Sequence, residues 1–312
     1  MAHEPFKSMT AGLVLRWGLI LRAYAFPVVA VPLLVGAVLA FKSCRQANGL
    51  WIPLLLGALL CLHGGINLVN DYYDDRRGVD RADNAPTSWS LTRKLLTPPQ
   101  ARSIALSLML LSLLLALPVL VARGFGLTGL ALAGMAGSYF YSAPPLSLKY
   151  RGLGEAVVFL LAGPGLTAAV AKALTGEFST AGWLCGVPLG FLASAILYGN
   201  NLRDRDRDAA AGFRTLAHRL GAKAPLGYPA LVIAAWLSLG LMVIHKTLSP
   251  LWAIPPVLAS LLLLVSPVRA TVRAARPGPR DASASLLRDI DMRTARAHAV
   301  FGVLLALGLW HS

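Results

Sequence analysis

Acid is what this chain has least of. Only 14 Asp and Glu stand among 312 residues, against 29 Lys and Arg, for a net charge of +15. Cysteine is scarcer still. Cys44, Cys61 and Cys185 are scattered, without the spacing of a metal site or a disulfide framework. The second and third lie in apolar runs, where a thiol behaves as a small hydrophobe. Charged residues of both signs make up 14% of the chain, too few for an ordinary soluble domain. A cleaved leader is not evident: the first apolar stretch is broken by Arg16 and Arg22 and reads as an interfacial helix entering the first span. No compact basic, aromatic-interleaved region stands outside the apolar runs, so nucleic acid is not the expected partner of the positive charge.

What the chain has is hydrophobic length. Apolar residues make up 56% of it, and the mean hydropathy is +0.63. The expected fold is all-α, a single polytopic membrane domain over residues 1–312. Nine spans are expected, at about 24–41, 51–70, 102–122, 126–142, 155–173, 182–200, 225–244, 251–268 and 294–310. Lys and Arg set the orientation. The loops after the second, fourth, sixth and eighth spans hold 21 of the 29 basic residues. The positive-inside rule makes these loops cytoplasmic, and an odd span count then leaves the C-terminus outside.

The scarce acid is concentrated. Eight of the 14 carboxylates, counting Asp83 with the first, fall in two stretches that end the second and sixth spans. The first motif, residues 67–80, reads from Asn67 through Asn70, Asp71, Asp74 and Asp75 to Gly78 and Asp80, with Asp83 just beyond. The second, residues 200–208, reads from Asn200 and Asn201 through Arg203 and Asp204 to Asp206 and Asp208. Helical spacing puts Asn67, Asp71 and Asp74 or Asp75 on one face of one helix, and Asp204 and Asp208, with Asn201 a turn before, on one face of another. Like charges about 4 Å apart repel by roughly 4 kcal/mol at an effective dielectric near 20. A cation is therefore expected among them, and a hard divalent metal with oxygen ligands suits the donor set. Such a cup could hold two Mg²⁺ and, through them, a diphosphate. For Asp80, Asp83 and Asp206 a solvated surface charge is an equally good reading. Arg22, Lys149 and Arg203 are candidates for direct diphosphate contact, each weighed against a plain membrane-anchoring charge. Tyr141 could offer its ring face to a cation or sit in an interfacial aromatic belt. His63 precedes Gly64 and Gly65 inside the second span and reads as a packed helix residue.

These residues carry a resemblance. The chain resembles the UbiA-type superfamily of intramembrane aromatic prenyltransferases over nearly its whole length. Within it the chain is most similar to the 1,4-dihydroxy-2-naphthoate branch, on Asn67 to Asp80, Asn200 to Asp208, Gly212 to Leu216 with Arg219 to Gly221, Tyr141 to Glu155, and Thr294 to His298. Arg214 and Ala297 depart from that branch's usual residues. The resemblance implies nine helices around a central cavity, a polyprenyl diphosphate donor and an aromatic quinone precursor as acceptor. It implies Mg²⁺, or Mn²⁺ in its place, held by Asn67, Asp71, Asp74, Asp204 and Asp208; between Asp74 and Asp75 it favours Asp74. Asn67, Asn201, Arg22, Tyr141, Lys149 and Arg203 would touch substrate, and cap loops at about 76–100 and 203–223 would close over the site. The expected setting is a bacterial inner membrane with the site on the cytoplasmic side. The rivals are a sister enzyme acting on 4-hydroxybenzoate, homogentisate or a chlorin, and a cation-coupled transporter. The transporter fits poorly, because its ionisable groups would lie near the bilayer midplane, whereas here they lie at span ends.

Overall fold

A computed structural model describes residues 9–79, 89–210, 212–274 and 287–312. Asp80, Asp83 and parts of both expected cap loops lie outside the described residues. Every regular element among those described is helical. In chain order the helices are α1 (Met9–Ile20), α2 (Pro27–Ser43), α3 (Trp51–Arg76), α4 (Trp89–Thr92), α5 (Pro98–Ser142), α6 (Gly154–Leu160) and α7 (Leu166–Thr175). They continue with α8 (Thr180–Arg203), α9 (Arg205–Ala210), α10 (Leu216–Arg219), α11 (Ala224–Ile244), α12 (Pro250–Ala274) and α13 (Ile290–His311).

Eight helical segments among the described residues are long and apolar enough to cross a bilayer, against the nine spans expected. The difference lies in α5. Its 45 residues would extend roughly 67 Å at 1.5 Å per residue, twice a hydrocarbon core of about 30 Å. The helix breaks at Gly124, whose φ of 74° and ψ of −167° are not helical. The break falls between the expected spans 102–122 and 126–142, so one continuous element carries two crossings.

A second interruption divides the span formed by α6 and α7. Residues Leu161–Gly165 form a π-helical turn containing Pro164. There Gly163 lies against α8 so closely that a Cβ on it would sit 2.4 Å from the Cα of Gly190. Small residues let transmembrane backbones approach in this way, gaining dispersion contacts that lipid cannot replace. Polar ties add register between helices: the Tyr198 hydroxyl donates to the Ala224 carbonyl at 2.5 Å, and the Tyr228 and Thr294 hydroxyls pair at 2.6 Å. The largest cluster of buried apolar side chains joins α2, α8, α11, α12 and α13 around Tyr198, Leu189 and Phe301.

Candidate active site

The first motif occupies the last three turns of α3. Asp71 and Asp74 are each 2% exposed, whereas Asp75 is exposed on the opposite flank. Of the adjacent pair, Asp74 therefore faces the bundle. It receives the Asn70 amide at 2.9 Å, the Lys149 ammonium at 2.7 Å and the Tyr150 hydroxyl. Lys149 also donates to the Asn70 carbonyl oxygen at 3.0 Å. Burial and the Asp74 carboxylate push the Tyr150 hydroxyl well above the usual phenol range, so it stays a donor. Asp71 is held by the Arg22 guanidinium and the Ser90 hydroxyl.

The basic partners arrive on loops with unusual backbone. Arg22 itself is left-handed, at φ 54° and ψ 51°, between the end of α1 and the short turn that leads to Pro27 at the start of α2. Ser147, two residues before Lys149, is left-handed too, at φ 47°. For non-glycine residues this conformation costs about 1–2 kcal/mol. Here it aims one Arg and one Lys at α3.

The second motif ends α8. Asp204 caps that helix at φ −91° and ψ 6°, and the short helix α9 follows directly. The Arg203 guanidinium is shared among Asp204 at 2.8 Å, Asp291 of α13 at 3.3 Å, the Arg288 carbonyl at 3.2 Å and the Asn200 amide oxygen. Arg203 thus ties α8 to α13, and it is Asn200 and Asp291 that reach the cavity wall. Asn201 points elsewhere: it is 3% exposed and donates to Glu155 of α6 at 2.9 Å. Asp208 is 7% exposed, Asp206 exposed. Between the motifs, the Phe213 ring lies 4.5 Å from Tyr150, and the Arg219 guanidinium donates to the Arg151 carbonyl. The segment after the second motif thereby rests on the loop that carries Lys149.

One cavity of about 370 Å³ takes Asn67 and Asn70 of the first motif and Asn200 of the second into its wall; Asp71, Asp74, Asp204 and Asp208 stand behind that wall and do not line it. Its polar end is lined by Arg22, Asn67, Asn70, Lys149, Asn200 and Asp291. Away from it the wall turns aliphatic, with Leu59, Leu113, Val119, Leu127, Ala131 and Val170. Tyr141 and His63 belong to the wall as well. Asn67 is oriented by its amide, which donates to the Leu21 carbonyl at 3.0 Å, leaving its oxygen as acceptor.

The expected cation among the carboxylates is supplied in this structure by the protein: Arg22, Lys149 and Arg203 each pair with one motif aspartate. Among the described residues no three acid, histidine or cysteine side chains converge to hold a metal by themselves. The donors of Asn67, Asp71, Asp74, Asp204 and Asp208 are nonetheless all oxygen. They fit Mg²⁺, which takes one or two carboxylates and completes its shell with water and phosphate oxygens.

Helical register could have found two residues that the motif reading passed over. Asn70 is four before Asp74, and Asn200 four before Asp204, so each shares its aspartate's face. Asp291, Tyr150 and Ser90 carry no such signal; each stands far in sequence from the acid it joins.

Comparison with known proteins agrees with this fold. The UbiA prenyltransferase family model matches residues 29–287. A Homo sapiens relative, UbiA prenyltransferase domain-containing protein 1, is 31% identical over 249 residues, 76% of this chain and 71% of that protein. A 1,4-dihydroxy-2-naphthoate octaprenyltransferase of Bacillus subtilis is 27% identical over 280 residues, 89% of this chain and 87% of that protein. A solved UbiA homologue from Archaeoglobus fulgidus bound to GPP and Mg²⁺ shares the fold, with a TM-score of 0.57 and 16% identity over 93% of this chain and 99% of its own. The fold is that of an all-helical intramembrane enzyme. The chain belongs to the UbiA prenyltransferase family and is a prenyltransferase.

Proposed function

We propose that this enzyme transfers a polyprenyl group from its diphosphate to 1,4-dihydroxy-2-naphthoate, with Mg²⁺ as cofactor. The observation that carries the reading is a cavity with Arg22, Lys149, three amides and the Asp291 carboxylate at one end and an aliphatic remainder. Such a chamber suits a ligand that is a diphosphate at one end and a hydrocarbon along the rest. Mg²⁺ held by Asn67, Asp71, Asp74, Asp204 and Asp208 would neutralise charge building on the diphosphate oxygens.

The protein's own groups do the remainder. Arg22 and Lys149 sit at the polar end as fixed positive charge for the diphosphate. The allylic C–O bond breaks and its electron pair leaves with the diphosphate. The electron-rich ring carbon then forms the new C–C bond, and with this acceptor the attacked carbon loses carbon dioxide. The Tyr141 ring lines the same chamber and can steady the allylic cation. Aliphatic walls keep water from that cation. The acceptor assignment is supported by the named activity of the Bacillus subtilis relative.

The test is product formation in liposomes from a long-chain prenyl diphosphate and the naphthoate, with and without Mg²⁺, alongside Asp74→Ala and Asp204→Ala. A prenylated, decarboxylated naphthol that requires Mg²⁺ and both aspartates is expected. Turnover with 4-hydroxybenzoate or homogentisate but not with the naphthoate would replace the acceptor. A folded enzyme inactive with every aromatic would overturn the reading.

A further inference from the structure

A second cavity of about 350 Å³ lies behind the first motif, on the far flank of α3. Its lining is Tyr72, Tyr73, Arg76, Arg77, Arg102 and Pro144: three guanidinium groups, two phenols and no carboxylate. Arg76 donates to the Tyr72 hydroxyl at 3.0 Å, and Arg102 comes across from α5 to within 5.9 Å of the same ring's centre. Arg77 lies 5.9 Å from the Tyr73 ring. Three like charges gathered around one hollow repel, and no described acid lines it to offset them. Arg76 and Arg102 are exposed, so the charge is open to an incoming anion.

The helix below Arg102 is informative. Leu106, Leu110, Leu114, Leu117 and Val121 follow it at steps of four, four, four, three and four after Arg102, which is one face of α5. All five are exposed, from 44% to 76%. An anionic hollow-filler above a strip of bare aliphatic side chains has the polarity of a phospholipid: headgroup at the span end, acyl chain along the helix. Basic pockets between transmembrane helices bind anionic headgroups by this arrangement.

The geometry points to the Tyr72–Arg76–Arg102 hollow as a binding site for the phosphate headgroup of an anionic phospholipid, with an acyl chain along the Leu106–Val121 face. The site is separate from the prenyl-transfer cavity and touches it through one residue. Arg77 lines the hollow and also stacks 4.0 Å over Tyr150, the donor to Asp74.

The test uses the full chain in detergent, supplied with phosphatidylglycerol or phosphatidylcholine. Lipids retained are counted by native mass spectrometry and thermal stability is followed in parallel. Wild type should retain phosphatidylglycerol in preference and melt higher with it. An R76Q/R102Q double variant should bind that lipid on the order of tenfold more weakly and lose the rise, with an unchanged melt in phosphatidylcholine. R102Q alone gives the same readout should the double variant not fold. Equal retention of the two lipids by wild type overturns the proposal, as does undiminished phosphatidylglycerol binding by the variants. Inorganic phosphate protecting as well as phosphatidylglycerol overturns it in favour of a free-anion site.

Discussion

At the scale of the residue, the first acidic motif separates neighbours by orientation alone. Asp74 is buried among Asn70, Lys149 and Tyr150, while the adjoining Asp75 is exposed. Asp74→Asn should therefore lower prenyl transfer by about 10²-fold or more, the usual cost of losing a group that acts on transition-state charge, while Asp75→Asn should stay within roughly threefold on the ordinary variation of surface changes. Steady-state assay of the two variants side by side checks this. Tyr150 gives a second prediction. Its hydroxyl is held neutral in the fold by burial and by Asp74, so its folded pKa lies above its unfolded one, near 10. Its contribution is complete below about pH 10 and is lost as pH rises beyond that, because only the unfolded chain then ionises readily. Wild type should lose thermal stability above about pH 10 more steeply than Tyr150→Phe, and parallel alkaline melts of the two decide it. Legibility at this scale was uneven. The concentration of acid in a chain poor in acid marked both motifs; helix spacing singled out Asp71 and Asp204 but left Asp74 and Asp75 open, and only the resemblance favoured Asp74. Asn201 was misplaced because the end of α8 turns at Asp204 and the wall-facing amide is Asn200, one residue back. Asp291 could not be found: a lone acid acquires meaning only when the fold brings α13 to Arg203.

At the scale of the element, two interrupted helices shape the chamber. The hydropathy pattern located both arms of α5, because Arg123 and Gly124 separate them, but not the fact that a single bent helix carries them. The break in the α6–α7 span is different. It is marked in sequence only by Gly163 and Pro164 and is dictated by α8, whose Gly186 and Gly190 backbones would meet a Cβ on Gly163 at 2.7 Å or less. Leu161, Ala162 and Gly165 of this segment line the cavity, so the close approach also sets one wall. Gly163→Val should force the helices apart and cost on the order of 1–3 kcal/mol, the usual penalty of overpacking. Gly129→Val, in α5 with nothing within 4 Å of its added Cβ, should be tolerated. Thermal melts in detergent compare the two; equal melting points would remove the packing argument.

At the scale of the molecule, charge and fold agree on polarity. The two motifs, the Lys149 loop and the arginine-lined hollow all occur where apolar helices end, and these ends carry most of the chain's positive charge. Nothing within the bundle fixes which way it enters a bilayer; that follows from the loops, since basic residues resist translocation. Counting α5 as two crossings gives nine, an odd number, and places the chain's last residue on the face away from the acidic motifs. A cysteine introduced at Ser312, in a background lacking Cys44, Cys61 and Cys185, should therefore react with a membrane-impermeant maleimide in intact cells. One introduced at Thr97, at the start of α5 on the motif side, should react only after the membrane is opened. The opposite pattern would invert the orientation, and labelling of both in intact cells would mean that α5 does not return across the bilayer. The second outcome bears on chemistry as well. The aliphatic wall of the cavity takes Leu113 and Val119 from the arm before Gly124 and Leu127 and Ala131 from the arm after it, so a chamber for a prenyl chain exists only if α5 folds back on itself within the membrane.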